Sequence, residues 1–250
     1  MPLVGSRDIS QLASESPVMP GLDTEPLELP GAQLLQLLYE IDDSGMTTLI
    51  PPALHPTIPP TVFITVMKAP ESPWGPFALA EVRIGCRSGA RPRALLYRAV
   101  CNSAEAAEGL GERWGYPLVM GEVSLERGYD RVHATAATPG DGLVLDATLR
   151  NPDPIGNGDL QYISSLHLAR VRRDGEDVVR LIQVDPDYAV SKADRGRPEL
   201  AACRLGAFGL EGAEISYAVS ASAATVNITL PALRYLVDPN KPPLHSVERI

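Results

Sequence analysis

Short runs of apolar and β-branched residues, separated by turns rich in Pro and Gly, recur along most of the chain. Such runs are typical of buried strands. They predict strands at residues 61–68, 77–87, 93–100, 118–126, 131–138, 142–150, 160–171, 177–185 and 212–230, the last broken in its middle. Two helices are predicted, one from an Asn102 and Glu105 capping box and one from the proline that opens residues 231–237. The pattern indicates an α+β, mainly β protein, with a barrel-like or layered sheet and a few edge helices.

The predicted strand at 77–87 alternates regularly between its two faces. Side chains two residues apart point to the same side of a strand, so Ala80 and Val82 share one face and Glu81 and Arg83 share the other. If Glu81 points into an apolar cavity, Arg83 does too, and the pair could bind a carbonyl or enolate and move a proton. The alternatives are a plain structural salt bridge or a solvated face.

Charge and hydropathy exclude several classes of protein. The formal net charge is −9 and the pI is about 5.0, without the clustered Lys and Arg that a nucleic-acid surface needs. No apolar run approaches the roughly 20 residues that span a bilayer. The N-terminus lacks the apolar core of a signal peptide, so we expect a cytoplasmic protein with no membrane association.

Domain organisation and cofactor use follow from composition and spacing. Residues 1–30 are rich in Pro, Ser, Gly and acidic side chains, which predicts a loosely ordered arm before a single domain at 31–250. The four histidines and three cysteines are scattered, so neither a metal site nor a disulfide framework is predicted. Glycine-rich nucleotide-binding motifs are also missing from the sequence, and we expect no cofactor.

Five segments, taken in order and spacing, resemble the acetoacetate decarboxylase-like superfamily. They are YEIDDSGMTTLIPPALHP, WGPFALAEVRIG, GERWGYPLVMGEV, DRVHATAATPG and GAEISYAVSASAATVNITLPALRYLV. The resemblance covers nearly all of the chain after the arm. It implies a double-layered, cone-shaped β-barrel with a buried pocket, assembled into homo-oligomers.

The third segment is similar to the family signature GRExxGYPKKLG, with one decisive difference. In the family, the first lysine after YP forms a Schiff base with a ketone, and the second lowers the pKa of the first. On this sequence the two lysines fall on Leu118 and Val119. The chain's lysines, Lys68, Lys192 and Lys241, are predicted to be exposed, so the resemblance excludes decarboxylation by the family route.

The resemblance also implies further pocket positions. An arginine of the family falls near Ala32 and one of two carboxylates falls near Ile64, whereas the other carboxylate falls on Glu81 and is kept. The predicted catalytic residues are therefore Glu81 and Arg83. The predicted substrate-binding residues are Tyr97, Arg98, Tyr116, Leu118, Val119 and Met120.

Replacing two amines by Leu118 and Val119 makes the deepest part of the implied pocket apolar, which favours a hydrophobic ketone, enone or polyene. The predicted function is a tailoring enzyme of secondary metabolism acting on a polyketide-like substrate. Its reaction would be a non-covalent cyclisation, elimination, isomerisation or hydration. The alternative is a non-catalytic binding or carrier protein on the same fold.

Overall fold

The computed structural model describes residues 3–250, within which hydrogen bonds join seventeen strands into one mixed sheet. The first nine strands are β1 (Val18–Met19), β2 (Leu27–Ile41), β3 (His55–Pro56), β4 (Thr61–Ala69), β5 (Phe77–Ser88), β6 (Arg91–Leu96), β7 (Ala99–Cys101), β8 (Leu118–Met120) and β9 (Glu122–Arg127). The other eight are β10 (Arg131–Thr138), β11 (Gly142–Pro154), β12 (Ser165–Arg173), β13 (Glu176–Val184), β14 (Asp187–Cys203), β15 (Ile215–Leu230), β16 (Tyr235–Val237) and β17 (Val247–Arg249). The two α-helices are α1 (Ser10–Glu15) and α2 (Ala104–Trp114), with short 3-10 turns at Met46–Leu49, Asn157–Asp159, Leu205–Phe208 and Pro243–His245.

The centre of the sheet is the antiparallel set β2, β4 and β5, and the sheet wraps round from it. Beyond β2 the ladder continues through β15, β14, β11, β10 and β9. Since β9 contacts β4 and β5 again, this part of the sheet encloses an apolar core. The first core contains Leu37, Ile64, Val82, Ala134 and Ala223.

A second core lies on the other face of the central strands, where α2, β12 and β13 cover it. It contains Leu34, Met67, Leu79, Trp114 and Ile182. Because both faces are covered, every residue of β5 from Phe77 to Cys86 is buried. Continuous burial of this kind is the property of a strand inside two layers. The predicted mainly β, double-layered fold class is confirmed.

Helix α2 forms where a helix was predicted, but with a different cap. The side chain of Ser103 accepts a hydrogen bond from the amide of Ala106, which caps the helix, whereas Asn102 accepts one from the amide of Ala78 in β5. The helix ends at Gly115, whose φ of 65° is a left-handed conformation that glycine adopts without strain. Trp114 donates to the carbonyl of Pro231 at 2.8 Å, so the helix end is fixed against the second core.

Two sequence predictions fail in the C-terminal half. The helix predicted at 231–237 is wrong, because Leu236 and Val237 belong to β16 and pair with β13, so sheet pairing overrides the local proline signal. The long strand β14 was not predicted, since its Asp, Lys, Arg, Gly and Pro residues read as a polar loop. The break predicted within 212–230 takes the form of register shifts in the continuous strand β15.

The N-terminal segment contains α1, β1 and the start of β2, and buries Ile9, Ala13 and Met19. The expected boundary at residue 30 therefore falls inside β2, while residues 1–2 of the predicted arm lie outside the described residues. Within residues 3–250, no helix is long and apolar enough to cross a lipid bilayer.

Candidate functional site

A small, largely enclosed cavity lies in the second core, between β2, β4 and β5 on one side and the segment that precedes β12 on the other. We call it the central cavity. Its volume is about 30 Å³, which is space for one or two water molecules. Its lining is Leu, Ile and Met except for Thr65, Glu81, Arg83, Tyr116, Tyr162 and Tyr188.

Glu81 and Arg83 both project into the central cavity, as strand parity predicts. They are 7% and 4% exposed. Nε of Arg83 lies 3.0 Å from Oε1 of Glu81, but its N–H does not have hydrogen-bond geometry toward the carboxylate. Arg83 also donates to the Thr65 hydroxyl at 3.2 Å and to the Ile163 carbonyl at 3.3 Å. The guanidinium is therefore held by β4 and by the segment before β12.

The electrostatics of the central cavity favour a carboxyl group that exchanges its proton. Burial raises the pKa of Glu81 above its ordinary value, and the neighbouring Arg83 charge opposes that rise. Burial also raises the pKa of Tyr116 well above its usual range and that of Tyr188 to about 12, with the charge of Glu81 adding to both. Both tyrosines therefore keep their protons at neutral pH and face Glu81 as neutral hydroxyl groups.

His167 lies behind Tyr116 and supports it. The two rings are 4.0 Å apart between centroids. Nδ1 is 2.9 Å from the Trp114 carbonyl, which can only accept, so Nδ1 carries the proton and Nε2 accepts from the Ser165 hydroxyl at 2.7 Å. Burial lowers the pKa of His167 to about 3, so the ring is neutral. The neutral ring packs against Tyr116, a contact that could not be predicted from the sequence.

Leu118 occupies the same row of the sheet as Glu81. Glu81 is paired with Ala99 of β7, and Ala99 is paired with Leu118 of β8. Leu118 packs against the second core, Val119 packs against the first core, and Met120 is 44% exposed. Of these three predicted substrate-binding residues, only Leu118 lies on the second-core side, and none of the three lines the central cavity.

The structure places Tyr97 and Arg98 away from the central cavity. Tyr97 is buried on the side of the first core, where its hydroxyl donates to the Leu49 carbonyl at 3.0 Å and the guanidinium of Arg7 lies over its ring. Arg98 forms an ion pair with Glu15 of α1. Both side chains are used in packing the N-terminal segment, and we assign neither of them a substrate contact.

Thr65, next to Ile64 on β4, lines the central cavity. Pairing of β4 with β5 places Thr65 opposite Glu81 and into the central cavity, whereas Ile64 faces the first core. Glu81 is the acid in the cavity lining. Lys68, Lys192 and Lys241 are exposed, so none provides a buried amine. Among the described residues, no three His, Cys, Asp or Glu side chains form a metal-binding group.

Sequence reasoning missed the residues that close the central cavity. Tyr162 lies in the segment before β12, and its ring stacks on that of Tyr188 at 4.6 Å between centroids. The sequence pattern did not identify either tyrosine as a cavity residue. Tyr162 falls in a range that was predicted as strand, and Tyr188 is the second residue of β14, which was not predicted. A second cleft of about 500 Å³ on the outer surface, which we call the outer cleft, shares both tyrosines with the central cavity.

The fold agrees with the sequence comparison. The acetoacetate decarboxylase (ADC) family matches residues 15–202, about three quarters of the chain. The chain therefore belongs to the acetoacetate decarboxylase family. It matches no curated protein.

Solved structures show the same fold at low sequence identity. Acetoacetate decarboxylase from Legionella pneumophila is similar at a TM-score of 0.72 and 18% identity, over 84% of this chain and 86% of that one. An acetoacetate decarboxylase-like enzyme from Sphingomonas wittichii RW1 gives 0.66 and 16%, over 92% and 98%. The enduracididine biosynthesis enzyme MppR, complexed with the condensation product of pyruvate and imidazole 4-carboxaldehyde, gives 0.66 and 15%, over 85% and 90%. The fold thus occurs in biosynthetic enzymes as well as in decarboxylases.

Proposed function

We propose that this protein is a small-molecule tailoring enzyme that acts on a ketone or enone by non-covalent proton transfer next to the carbonyl group. The observation that carries the proposal is the Glu81 and Arg83 pair, buried together in a largely apolar cavity. An acid with a raised pKa and a fixed cation are the two groups that enolate formation requires. A Schiff base is not part of the mechanism, since Leu118 and Val119 carry no amine.

The proposed first step is enolisation. The Glu81 carboxylate takes a proton from the carbon next to the carbonyl, the electron pair forms a carbon–carbon double bond, and negative charge moves to the oxygen. The Arg83 guanidinium, 3.0 Å from Glu81, stabilises that charge in the apolar surroundings. Glu81 then returns the proton to another carbon, or the enolate attacks or expels a group within the same substrate. Isomerisation, cyclisation and elimination all begin in this way.

Cavity size supports a division of the substrate into two parts. About 30 Å³ accommodates a carbonyl group, whereas the outer cleft has about 500 Å³ and is lined in part by Leu160, Tyr162, Tyr188 and Val190. We propose that the reacting carbonyl enters the central cavity while the hydrophobic remainder lies in the outer cleft. This arrangement suits the polyketide-like substrate class.

Hydrogen–deuterium exchange tests the first step without knowledge of the natural substrate. Butanone is incubated with the protein in D₂O, and loss of the α-hydrogen signals is followed by proton NMR. We expect exchange faster than in buffer, and a fall of about 100-fold in Glu81→Gln, because the amide cannot take the proton. Glu71→Gln, at an exposed acid outside the cavity lining, should keep the wild-type rate.

Exchange at the buffer rate in the wild-type protein, or an equal rate in Glu81→Gln, would contradict enolisation by Glu81. If butanone still bound under those conditions, the result would favour a carrier protein. Binding is measured separately by isothermal titration calorimetry.

The pH dependence of exchange provides an independent prediction for Arg83. The exchange reaction needs the deprotonated carboxylate of Glu81. The exchange rate should therefore increase with pH, with a midpoint at the raised pKa of Glu81. Because Arg83 lowers that pKa, Arg83→Gln should move the midpoint to higher pH. His167, with a pKa of about 3, and Tyr188, with one of about 12, do not titrate in this range. An unchanged midpoint would show that Arg83 does not act on Glu81.

A further inference from the structure

We propose that the hydroxyl of Tyr162 and the Nε–H of Arg83 together form a binding site for one carbonyl oxygen of the ligand. The ligand class is therefore a compound with a neutral carbonyl acceptor whose carbon skeleton continues into the outer cleft. The inference deepens the proposed function and rests on it for the identity of the reacting group. It assigns to Tyr162 a direct contact with the substrate.

The first observation is a pair of unsatisfied donors in one cavity. The Tyr162 hydroxyl is buried and has no hydrogen-bond partner among the described residues, and Nε of Arg83 makes no hydrogen bond either, although the Glu81 carboxylate lies 3.0 Å from it. Both residues line the central cavity. An unpaired buried donor lowers the stability of the folded protein, so each such group calls for a partner. A ligand carbonyl oxygen has two lone pairs, so it could accept a hydrogen bond from each of the two donors in this cavity.

The second observation is that Tyr162 is available as a donor. Burial raises its pKa, so the hydroxyl keeps its proton. Its other charged and titratable neighbours in the cavity lining are Glu81, Arg83, Tyr116 and Tyr188. The ring stacks on Tyr188 at an interplanar angle of 36°, which fixes the ring while leaving the hydroxyl unpaired.

The third observation is a hydrogen bond that connects Arg83 to the segment carrying Tyr162. Tyr162 precedes Ile163, whose carbonyl accepts from Arg83 at 3.3 Å. The segment that carries Tyr162 is thus tied to the guanidinium that supplies the second donor. Tyr162 and Tyr188 also line the outer cleft, so their stacked rings separate the outer cleft from the central cavity, and the Tyr162 hydroxyl lies at that boundary.

Infrared difference spectroscopy of bound butanone tests the site directly. We expect the carbonyl band in the wild-type protein at a lower frequency than in hexane, because two donors weaken the C=O bond. In Tyr162→Phe the band should move back toward the hexane value and the Kd should rise about 10-fold, whereas Tyr217→Phe, at a tyrosine that is 72% exposed, should match the wild type. Binding of 2-methyl-1-butene, which replaces the oxygen by CH₂, should be equal in wild type and Tyr162→Phe.

The outcomes separate this site from the proposed function. A wild-type band at the hexane frequency, or an unchanged band and Kd in Tyr162→Phe, would overturn the oxygen site even if deuterium exchange occurs. A shifted band that depends on Tyr162 would support the site even if exchange fails and enolisation is rejected. If circular dichroism shows that Tyr162→Phe does not fold, the same measurement is made on Tyr162→Leu, which also lacks the hydroxyl, and an unchanged band there would overturn the site.

Discussion

Arg83→Met is expected to lower the free energy of unfolding by about 3–5 kcal/mol near neutral pH, because it leaves the Glu81 carboxylate buried without its cation. Glu81 is 7% exposed, and Arg83 is the charged group that opposes the rise of its pKa. Unfolding in urea, followed by circular dichroism, measures the difference.

The matched control removes both charges. The double variant Glu81→Leu and Arg83→Met keeps a similar side-chain volume and leaves no ion at these two positions. Its free energy of unfolding should therefore be equal to that of the wild type or higher by up to about 4 kcal/mol. Exchange activity should be lost in the same double variant. A stable but inactive protein would show that the pair is retained for chemistry, whereas strong destabilisation of the double variant would identify a structural salt bridge.

The pH dependence of the single variant has a definite sign. The pKa of Glu81 is raised in the folded state, so its contribution to stability is complete below the unfolded pKa and is lost as pH rises through the folded pKa. Without Arg83 the folded pKa is higher still, and the loss extends to higher pH. We therefore expect the deficit of Arg83→Met to shrink in acid and to grow toward neutral pH. A deficit that does not change with pH would contradict this origin.

Local alternation was enough to predict that Glu81 and Arg83 lie on the same face of β5. The period of two in β5 placed Glu81 and Arg83 on one face, and the structure puts both in the central cavity. The same rule puts Thr65 of β4, and not its neighbour Ile64, on the face of Glu81. Parity within a strand is set by backbone geometry alone, which explains why the sequence reveals it.

The residues that close the central cavity, Tyr162 and Tyr188, could not be predicted, because their positions depend on contacts between segments that are distant in sequence. Tyr162 and Tyr188 lie about 80 and 107 positions after Glu81, on segments without an apolar period. Tyr97 and Arg98 were predicted within a strand at 93–100 but lie between β6 and β7, where their partners are Leu49 of a 3-10 turn and Glu15 of α1. Which loop covers a cavity is a property of tertiary packing.

Leu118→Lys is expected to create a Schiff-base-forming amine where the wild-type protein has none. Position 118 is aligned with Glu81 through Ala99, about 10 Å away across two strand spacings, and its side chain packs against the second core. A partly buried ammonium loses its proton more readily than an exposed one, and the free amine attacks a ketone. Borohydride reduction with butanone should therefore trap a covalent adduct on Lys at position 118, detected by mass spectrometry after proteolysis.

Met120→Lys is the matched control for this gain of function. It lies two residues further along β8, where the side chain is 44% exposed, so the new amine should keep an ordinary pKa and remain unlabelled at the same butanone concentration. The wild-type protein should also remain unlabelled, because Lys68, Lys192 and Lys241 are exposed. A folded Leu118→Lys protein without adduct would show that position 118 is closed to the ligand, and a labelled Lys68 in the wild type would restore covalent catalysis as a mechanism for this chain.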